Sequence, residues 1–257
     1  MQGLAPTVNK KAPLTIGYST LGVRAKNIKF LDSVISVVAV QSPDEVLDLN
    51  FKNDISVIKL ENSGVAKSRN AVINATKTDY LLFGDDDIEF NEAGIKSAVN
   101  YLDSNPGISV LLMQAVDESG KLRKSYPSKP HKLKLTNSAK AATYEMMVRV
   151  ADINRAGIRF DENFGAGAQN YLGDEYIFIA DAIRAGLKGS FLPLIIASHP
   201  SESSGSIRNL SKDRLARAKI FTRVFGIWAP AMRALFILKP PSKKFGVVNS
   251  LLFVIGK

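Results

Sequence analysis

The chain of 257 residues contains no cysteine. Disulfide scaffolds, zinc ribbons, iron–sulfur clusters and thiol nucleophiles are therefore excluded. No run of about 18 uncharged apolar residues is visible, and the N-terminus lacks the apolar core of a secretory signal. We therefore expect a cytoplasmic protein without a membrane-spanning helix.

Acidic residues are scarce in the last part of the chain. Residues 201–257 contain 11 Lys or Arg and only 2 Asp or Glu, whereas residues 1–200 contain 23 and 22. The net charge of +10 therefore lies almost wholly in the C-terminal tail. A nucleic-acid-binding protein would instead spread basic residues and stacking aromatics over its folded face. We keep that function as a distant alternative and expect no nucleic-acid partner.

Short apolar runs predict an α/β fold. Strand-like runs occupy residues 14–19, 34–40, 55–60, 80–83, 109–116, 143–150 and 191–198, and helical spacing occupies 65–75, 91–104 and 174–185. Strands that alternate with helices predict a Rossmann-like, mostly parallel central sheet with flanking helices. Residues 121–140 hold seven Lys or Arg and no acid, and they predict a mobile loop.

The basic tail predicts a separate helical extension. We assign residues 1–205 to one α/β domain and residues 206–257 to a basic amphipathic helical extension. Apolar residues three or four apart, running from Leu215 to Leu235, predict a stripe that covers the α/β domain. A sharper hypothesis adds peripheral binding to the anionic inner face of the cell membrane, because basic residues are attracted to that surface.

Three consecutive aspartates, Asp85, Asp86 and Asp87, directly follow a buried strand. Adjacent carboxylates repel each other, and a hard divalent ion such as Mg²⁺ or Mn²⁺ holds them together. The end of a strand in an open α/β sheet is also where ligands bind. A solvated acidic turn is the alternative interpretation. His199 follows another apolar strand and is a candidate to share the ion with Asp87.

Two further segments carry charge at predicted helix starts. Residues 62–70 join a strand to a helix, so that free N–H groups can face an anion beside Lys67 or Arg69. An ordinary helix cap is the more frequent explanation of such a segment. Asp174 and Glu175 open a helix after a Gly-rich loop, where acids either complement the helix dipole or supply a general base.

Taken in order, these segments resemble the inverting, family 2-like glycosyltransferases with the type A nucleotide-diphospho-sugar transferase fold. The specific parts are ENSGVAKSRNAVINATKTDYLLFGDDDIEF and FGAGAQNYLGDEYIFIADAIRAG, and ASHPSESSG is similar to the end of small bacterial polysaccharide-type members. The resemblance spans roughly residues 14–205. It implies metal-dependent transfer of a sugar, from a nucleoside-diphosphate donor to a saccharide or lipid-linked acceptor, in cell-surface polysaccharide synthesis.

The resemblance implies a role for each aspartate of the motif. Asp85 and Asp87 match the two acidic positions of the family's DxD motif, as ligands of a Mn²⁺ or Mg²⁺ ion that bridges the donor diphosphate. Asp86 is expected to contact the ribose or the sugar. The metal would neutralise charge on the departing nucleoside diphosphate.

The resemblance also implies the nucleotide contacts. Ser19 and Thr20, at the end of the first strand, match a nucleotide-binding position, and Arg69 is expected near the base or the diphosphate. Many members have an acidic turn after the second strand that reads the nucleobase, whereas this chain has Gln41-Ser42-Pro43-Asp44. Gln41 can hydrogen-bond a uracil edge, but this departure from the family pattern leaves the nucleotide open. Among nucleoside-diphosphate sugars we expect a UDP-sugar as the donor.

The general base departs from the family pattern. The family's motif is usually Glu-Asp, whereas this chain has Asp174-Glu175. Glu175 stands eleven residues before Gly186, as the family's base does before its helix-ending glycine. We therefore assign Glu175 as the base, with Asp174 as the alternative. A sugar-nucleotide nucleotidyltransferase is the rival enzyme, but the first strand lacks the Gly-rich basic loop that grips a triphosphate.

Overall fold

The computed structural model describes residues 13–42, 55–201, 210–238 and 246–257. The predicted domain boundary after residue 205 and the turn residue at position 44 lie outside these ranges. Within them, nine strands and seven α-helices follow one another along the chain.

The strands and helices have these bounds. The strands are β1 Leu14–Leu21, β2 Ile35–Gln41, β3 Ile55–Leu60, β4 Tyr80–Asp85, β5 Glu89–Phe90, β6 Val110–Val116, β7 His131–Lys132, β8 Met146–Arg149 and β9 Gly189–Ser198. The helices are α1 Val65–Ala75, α2 Glu92–Ser104, α3 Val150–Arg155, α4 Asp174–Arg184, α5 Leu210–Phe225, α6 Ala229–Ile237 and α7 Gly246–Ile255.

One sheet joins all nine strands. Its order is β3-β2-β1-β4-β8-β6-β9-β5, with β7 also paired to β9. The four longest pairings, β1 with β2, β1 with β4, β2 with β3 and β6 with β9, are parallel. The antiparallel pairings involve only two or three residues each. The predicted mostly parallel α/β sheet is therefore confirmed.

Apolar layers cover both faces of the sheet. On β1, Leu14, Ile16 and Tyr18 point to one face and are fully buried together with residues of α2. On the opposite face the helix α1 lies very close, because a Cβ atom at Gly17 would come within 2.0 Å of the side chain of Val72. Helix α4 packs on this second face as well. The sheet is thus buried on both sides, as parallel sheets are.

Two segments differ from their predictions. Residues 121–140 are mostly irregular, but β7 pairs with β9 and the side chain of Leu133 is buried, so the segment is anchored at its middle. The strand predicted over 143–150 becomes a 3₁₀ turn, the short strand β8 and the start of α3. The turn forms because the buried carboxylate of Glu145 accepts a hydrogen bond from the N–H of Ala142.

Helix α5 is attached to the catalytic region along one face. Ile220 and Val224 pack with Tyr176 and Ile177 of α4 in a third apolar cluster. The guanidinium of Arg223 adds ion pairs of 2.8 Å to Asp161 and 2.7 Å to Asp181. The first helix of the predicted extension is therefore part of the folded body.

The predicted apolar stripe is partly wrong. Leu215, Trp228 and Leu235 are 41%, 69% and 53% exposed, so these members of the stripe are not buried against the α/β domain. Proline at the start of α6 and a 3₁₀ turn before it change the direction of the face. The expectation of no membrane-spanning candidate is also corrected, since Ser211–Ile237 is long and apolar enough by length and composition alone.

Candidate active site

The register of the sheet gathers the predicted site residues at one edge. Ser19 of β1 is paired with Asp85 of β4, and Leu21 of β1 is paired with Gln41 of β2. These parallel strands all end here, at the edge where open α/β sheets bind ligands. The Ser19 hydroxyl is buried and has no hydrogen-bond partner within the part of the chain that the structure describes.

Asp86 is held by two neighbours from the first strand and the turn after it. The hydroxyl of Thr20 donates to Asp86 Oδ2 at 2.6 Å, and Arg24 forms an ion pair with the same carboxylate. Burial raises the pKa of Asp86, while the hydrogen bond from Thr20 and the charge of Arg24 oppose that rise. Arg24 also lies 3.5 Å from Asp87 and is 42% exposed, so it can reach an incoming anion.

Gln41 fixes the loop before α1. Its amide oxygen accepts a hydrogen bond of 2.6 Å from the N–H of Gly64, so one of its two acceptor positions is already used. The N–H of Val65 donates to Ala166, so one of the amides expected to face an anion is already used. Lys67, in the first turn of α1, is half-buried.

Arg69 connects the two acidic motifs. This residue of α1 is only 7% exposed, and its guanidinium pairs with Asp174 and, at 3.2 Å, with Asp85. The ring of Phe160 lies against the guanidinium at 5.6 Å. A planar guanidinium can bind two carboxylates at once, which an ammonium group cannot do with the same geometry. Arg69 thus brings the end of β4 and the start of α4 into one site.

The two acids at the start of α4 have different environments. Asp174 is buried and ion-paired with Arg69, whereas Glu175 is half-buried beside it. Burial and the neighbouring charge of Asp174 hold the pKa of Glu175 well above its usual range, and Arg69 opposes this rise only in part. Gly165, with φ +97°, allows the close loop, because a Cβ there would lie 2.8 Å from Asp174. A carboxylate with a raised pKa is suited to accept a proton.

Asp87 and His199 face each other at the same edge. Strand β5 follows the aspartates and pairs with Ser198 at the end of β9, which brings the two side chains together. Asp87 Oδ1 lies 3.7 Å from His199 Nε2. The other ring nitrogen, Nδ1, is 2.8 Å from the carbonyl oxygen of Pro200, so it carries the proton. In the neutral ring, the lone pair of Nε2 therefore points toward the carboxylate of Asp87.

The predicted set of three metal ligands is not formed as such. Among the residues in the described ranges, no group of three or more His, Asp or Glu side chains is arranged to hold a metal ion. Asp85 turns to the guanidinium of Arg69, which neutralises it as a cation would. Asp87 and His199 still offer one oxygen and one nitrogen to a common point. That pair fits an ion whose remaining ligands come from diphosphate and water.

Sequence reasoning missed two residues of this site. Arg24 was not considered, although a basic residue three positions after the end of β1 has to lie near the carboxylates of the same edge. Tyr144 was read as part of a strand, yet its ring stacks on His199 with centroids 5.1 Å apart. No sequence pattern signals that stack, because it joins a 3₁₀ turn to the end of a distant strand.

One family model matches part of the chain. Residues 40–161 match the family model described as glycosyl transferase family 2. A search of curated proteins found no match.

Solved structures of S. aureus TarS resemble the chain in fold. The TarS structure has a TM-score of 0.56 at 16% identity, and the match covers 94% of this chain and 48% of TarS. The chain thus spans about half the length of TarS. The structure of TarS 1–349 in complex with UDP-GlcNAc has a TM-score of 0.59 at 16% identity, covering 94% of this chain and 80% of that one. TarS 1–349 in complex with UDP has a TM-score of 0.56 with the same identity and coverage.

At such low identity the solved structures establish the fold alone, and the family model matches less than half of the chain. The mixed sheet, its flanking helices and the acidic edge agree with both findings. The chain therefore has the type A glycosyltransferase fold, and its residues 40–161 are similar to glycosyl transferase family 2.

Proposed function

We propose that the protein is a metal-dependent, inverting glycosyltransferase that uses a nucleoside-diphosphate sugar, with a UDP-sugar as the best candidate. The observation that carries the proposal is the buried Arg69, which joins Asp85 of the donor motif to Asp174 of the base motif. An enzyme that brings a donor and an acceptor hydroxyl together needs these two motifs in one site.

The donor is proposed to bind at the ends of β1, β2 and β4. Ser19 and Thr20 lie there beside the aspartates, and the half-exposed Arg24 offers a positive charge to a diphosphate. The neighbouring structures of TarS 1–349 contain UDP-GlcNAc and UDP, which supports a uridine nucleotide for this chain too.

The metal is proposed to be held by Asp87 and His199. Members of this family generally use a divalent ion, and the oxygen and nitrogen donors of this pair suit Mn²⁺ or Mg²⁺. A bound ion supplies Lewis-acid stabilisation of the charge on a departing diphosphate. Tyr144 keeps the imidazole in place by stacking on it, and Pro200 fixes its tautomer.

Glu175 is proposed as the general base. Its partner Asp174 is engaged by Arg69, so Glu175 is the carboxylate that remains to accept a proton from the acceptor hydroxyl. The acceptor oxygen forms a bond to the anomeric carbon while the bond from that carbon to the diphosphate oxygen breaks. Because a single displacement occurs, the anomeric configuration inverts.

A donor panel tests the reaction. The full chain with Mn²⁺ is incubated with several nucleotide sugars, and release of nucleoside diphosphate and thermal stabilisation are recorded. We expect one donor to give both signals and both to be lost with a chelator. Stabilisation by nucleoside triphosphates, with release of pyrophosphate from the triphosphate when a sugar phosphate is added, would contradict the proposal and favour the nucleotidyltransferase.

The acceptor is proposed to be reached at the cytoplasmic face of a membrane. Helices α5 to α7 expose large apolar side chains, among them Ile227 at 90%, Leu238 at 75% and Val247 at 79%. Exposed apolar residues beside basic ones are typical of helices that lie in an anionic membrane interface.

Trp228 provides the test of membrane binding. It is the only tryptophan of the chain and is 69% exposed, so its fluorescence reports directly on this surface. We expect a blue shift with vesicles rich in phosphatidylglycerol and a smaller shift with vesicles of phosphatidylcholine. An emission spectrum that neither vesicle changes would contradict membrane binding.

A further inference from the structure

A large apolar groove lies beside the proposed active site. Its volume is about 910 Å³, at the upper end of the range for small-molecule sites. One wall comes from the sheet and from residues 125–141, and the other comes from α5 and α6. The side chains that face it are mainly apolar or aromatic, including Leu112, Phe191, Phe225 and Met232.

The groove continues onto the exposed apolar surface of the C-terminal helices. Leu235 and Leu238 both line the groove, and they are 53% and 75% exposed. These two leucines therefore provide apolar contacts both inside the groove and on the exposed surface next to it. A sugar nucleotide, which is polar and charged, would gain little from such walls.

The charge at the groove complements an anion. Residues 121–140 carry seven Lys or Arg and no acid, and Lys140 and His131 of this segment line the groove. The one acid in its wall, Glu145, is buried and paired with Lys124 at 2.7 Å. The groove thus combines apolar walls with a basic rim, which among the described residues consists of Lys140 and His131.

The groove lies one residue from the proposed machinery on two sides. Tyr176 lines it and directly follows Glu175 in α4. Glu145 lines it and directly follows Tyr144, whose ring stacks on His199. The groove and the proposed site therefore share two backbone segments, the first turn of α4 and the 3₁₀ turn at residues 143–145.

We propose that this groove binds the hydrocarbon chain of the acceptor, and that the acceptor is a lipid with an anionic phosphate head. The proposal rests on the proposed function and names the acceptor class for that same site. The hydrocarbon chain packs between residues 125–141 and α5–α6, and the phosphate meets the basic rim. An apolar segment of another protein would fit the walls but would not require the basic rim.

Photolabelling tests the groove without any glycosyl transfer. The probe is a long-chain alkyl phosphate that carries a diazirine in its chain, presented in detergent micelles to the full-length protein. We expect labelled peptides from residues 125–141 and from α5–α6, with labelling suppressed by excess unlabelled alkyl phosphate. Labelling confined to α7 would show surface insertion only and would overturn the proposal.

Matched variants locate the site within the protein. Ala139 is exposed at the groove, so Ala139→Trp fills it without disturbing the core, and Ala93→Trp places the same residue on the exposed face of α2. We expect groove labelling to fall at least fivefold in Ala139→Trp and to stay unchanged in Ala93→Trp. Equal labelling in the two variants would overturn the proposal.

Reversal of charge tests the phosphate head. Lys140→Glu changes the rim, and Lys77→Glu, an exposed lysine after α1, is the control. We expect several-fold weaker labelling in Lys140→Glu only, and weaker labelling of the wild type by the corresponding alkyl alcohol. Equal labelling by alcohol and phosphate would overturn the choice of an anionic head.

The proposed function and the groove fail in different experiments. If the donor panel gives no turnover, the photolabel still reports whether the groove binds alkyl phosphate. If the photolabel misses the groove, the donor panel still reports glycosyl transfer to a soluble acceptor or to water.

Discussion

Residues 13–201 and the C-terminal helices differ in which side chains they bury and which they expose. Among residues 13–201 of the described chain, Arg69, Asp86 and Asp174 are each at least nine-tenths buried. In the described residues from position 210 onward many large apolar side chains are outside, and this segment contributes nine of the fifteen large apolar side chains found exposed in the described ranges. The net charge of +10 is therefore a poor description of either region. Residues 1–200 contain nearly equal numbers of basic and acidic residues, whereas the tail carries its basic residues beside exposed apolar side chains.

The difference shows where each region obtains its function. Buried charges are costly unless they are paired, so a network such as that of Arg69 is retained where it serves a purpose. Exposed apolar side chains are a liability in water, and they are retained where a surface binds something. The first region is thus built for chemistry and the second for contact.

The largest effect is expected at the base. Glu175→Gln should lower the rate of transfer by about 10²-fold to 10⁴-fold, because the acceptor hydroxyl loses its proton acceptor. The measurement is release of nucleoside diphosphate in the presence of acceptor. Glu92→Gln is the control, since Glu92 is also a glutamate in the first turn of a helix and is exposed. Turnover of Glu175→Gln within twofold of wild type would remove Glu175 as the base.

The next effect concerns the buried charge network. Arg69→Met should lower the free energy of unfolding by about 3–5 kcal/mol, because Asp174 is left buried without its cation. Urea unfolding measures the change. Arg155→Met is the control, since Arg155 pairs with Asp152 but is 74% exposed. If both variants lose the same free energy of unfolding, the buried ion pair of Arg69 stabilises the protein no more than the exposed ion pair of Arg155.

Two isoleucines of the C-terminal segment have opposite environments, since Ile220 packs against α4 and Ile227 is exposed. Ile220→Ala should lower the free energy of unfolding by about 2–4 kcal/mol, because it leaves a cavity over Gly173 and α4. Ile227→Ala, at a residue that is 90% exposed, should change it by less than about 0.5 kcal/mol. Ile227→Ala should instead weaken vesicle binding. Equal stability losses would contradict the division into two faces.

The smallest effect is on the pH dependence. The pKa of Glu175 is raised, so the neutral form is favoured in the folded protein. Below that pKa the rate of transfer should rise by about tenfold per pH unit. The rise should continue at pH values above the usual pKa of a glutamate side chain. The stability that this group contributes is complete below its unfolded pKa and is lost as the pH rises through its folded pKa. Rate profiles and urea unfolding of wild type and Glu175→Gln measure both trends, and identical profiles for the two proteins would contradict the assignment.

Much of the fold was predictable from local pattern. Strand β3 and helix α1 have the predicted bounds, and α4 differs by one residue, because strong periodicity coincides with glycines or a cap at their ends. The segment 143–150 was not predictable in detail. Its 3₁₀ turn depends on the hydrogen bond between Ala142 and the buried Glu145, which involves tertiary burial.

The site was predictable in its acids but not in its pairings. The positions of Asp85, Asp87 and Glu175 follow from motif order, which the chain itself displays. That Arg69 holds both acidic motifs depends on the distance between α1 and α4 in three dimensions. The outward face of α5 and α6 was misjudged because helical spacing shows which residues share a face and not which face is docked.

The most direct test measures the binding of UDP with Mn²⁺ to wild type, Asp87→Asn and Glu175→Gln by thermal stabilisation. In the proposed site Asp87 holds the metal and thereby the donor, and Glu175 accepts the proton. We therefore expect that Asp87→Asn loses the Mn²⁺-dependent stabilisation by UDP, whereas Glu175→Gln keeps it although its turnover has collapsed. Full stabilisation in Asp87→Asn, or loss of UDP binding in Glu175→Gln, would contradict this division of the site.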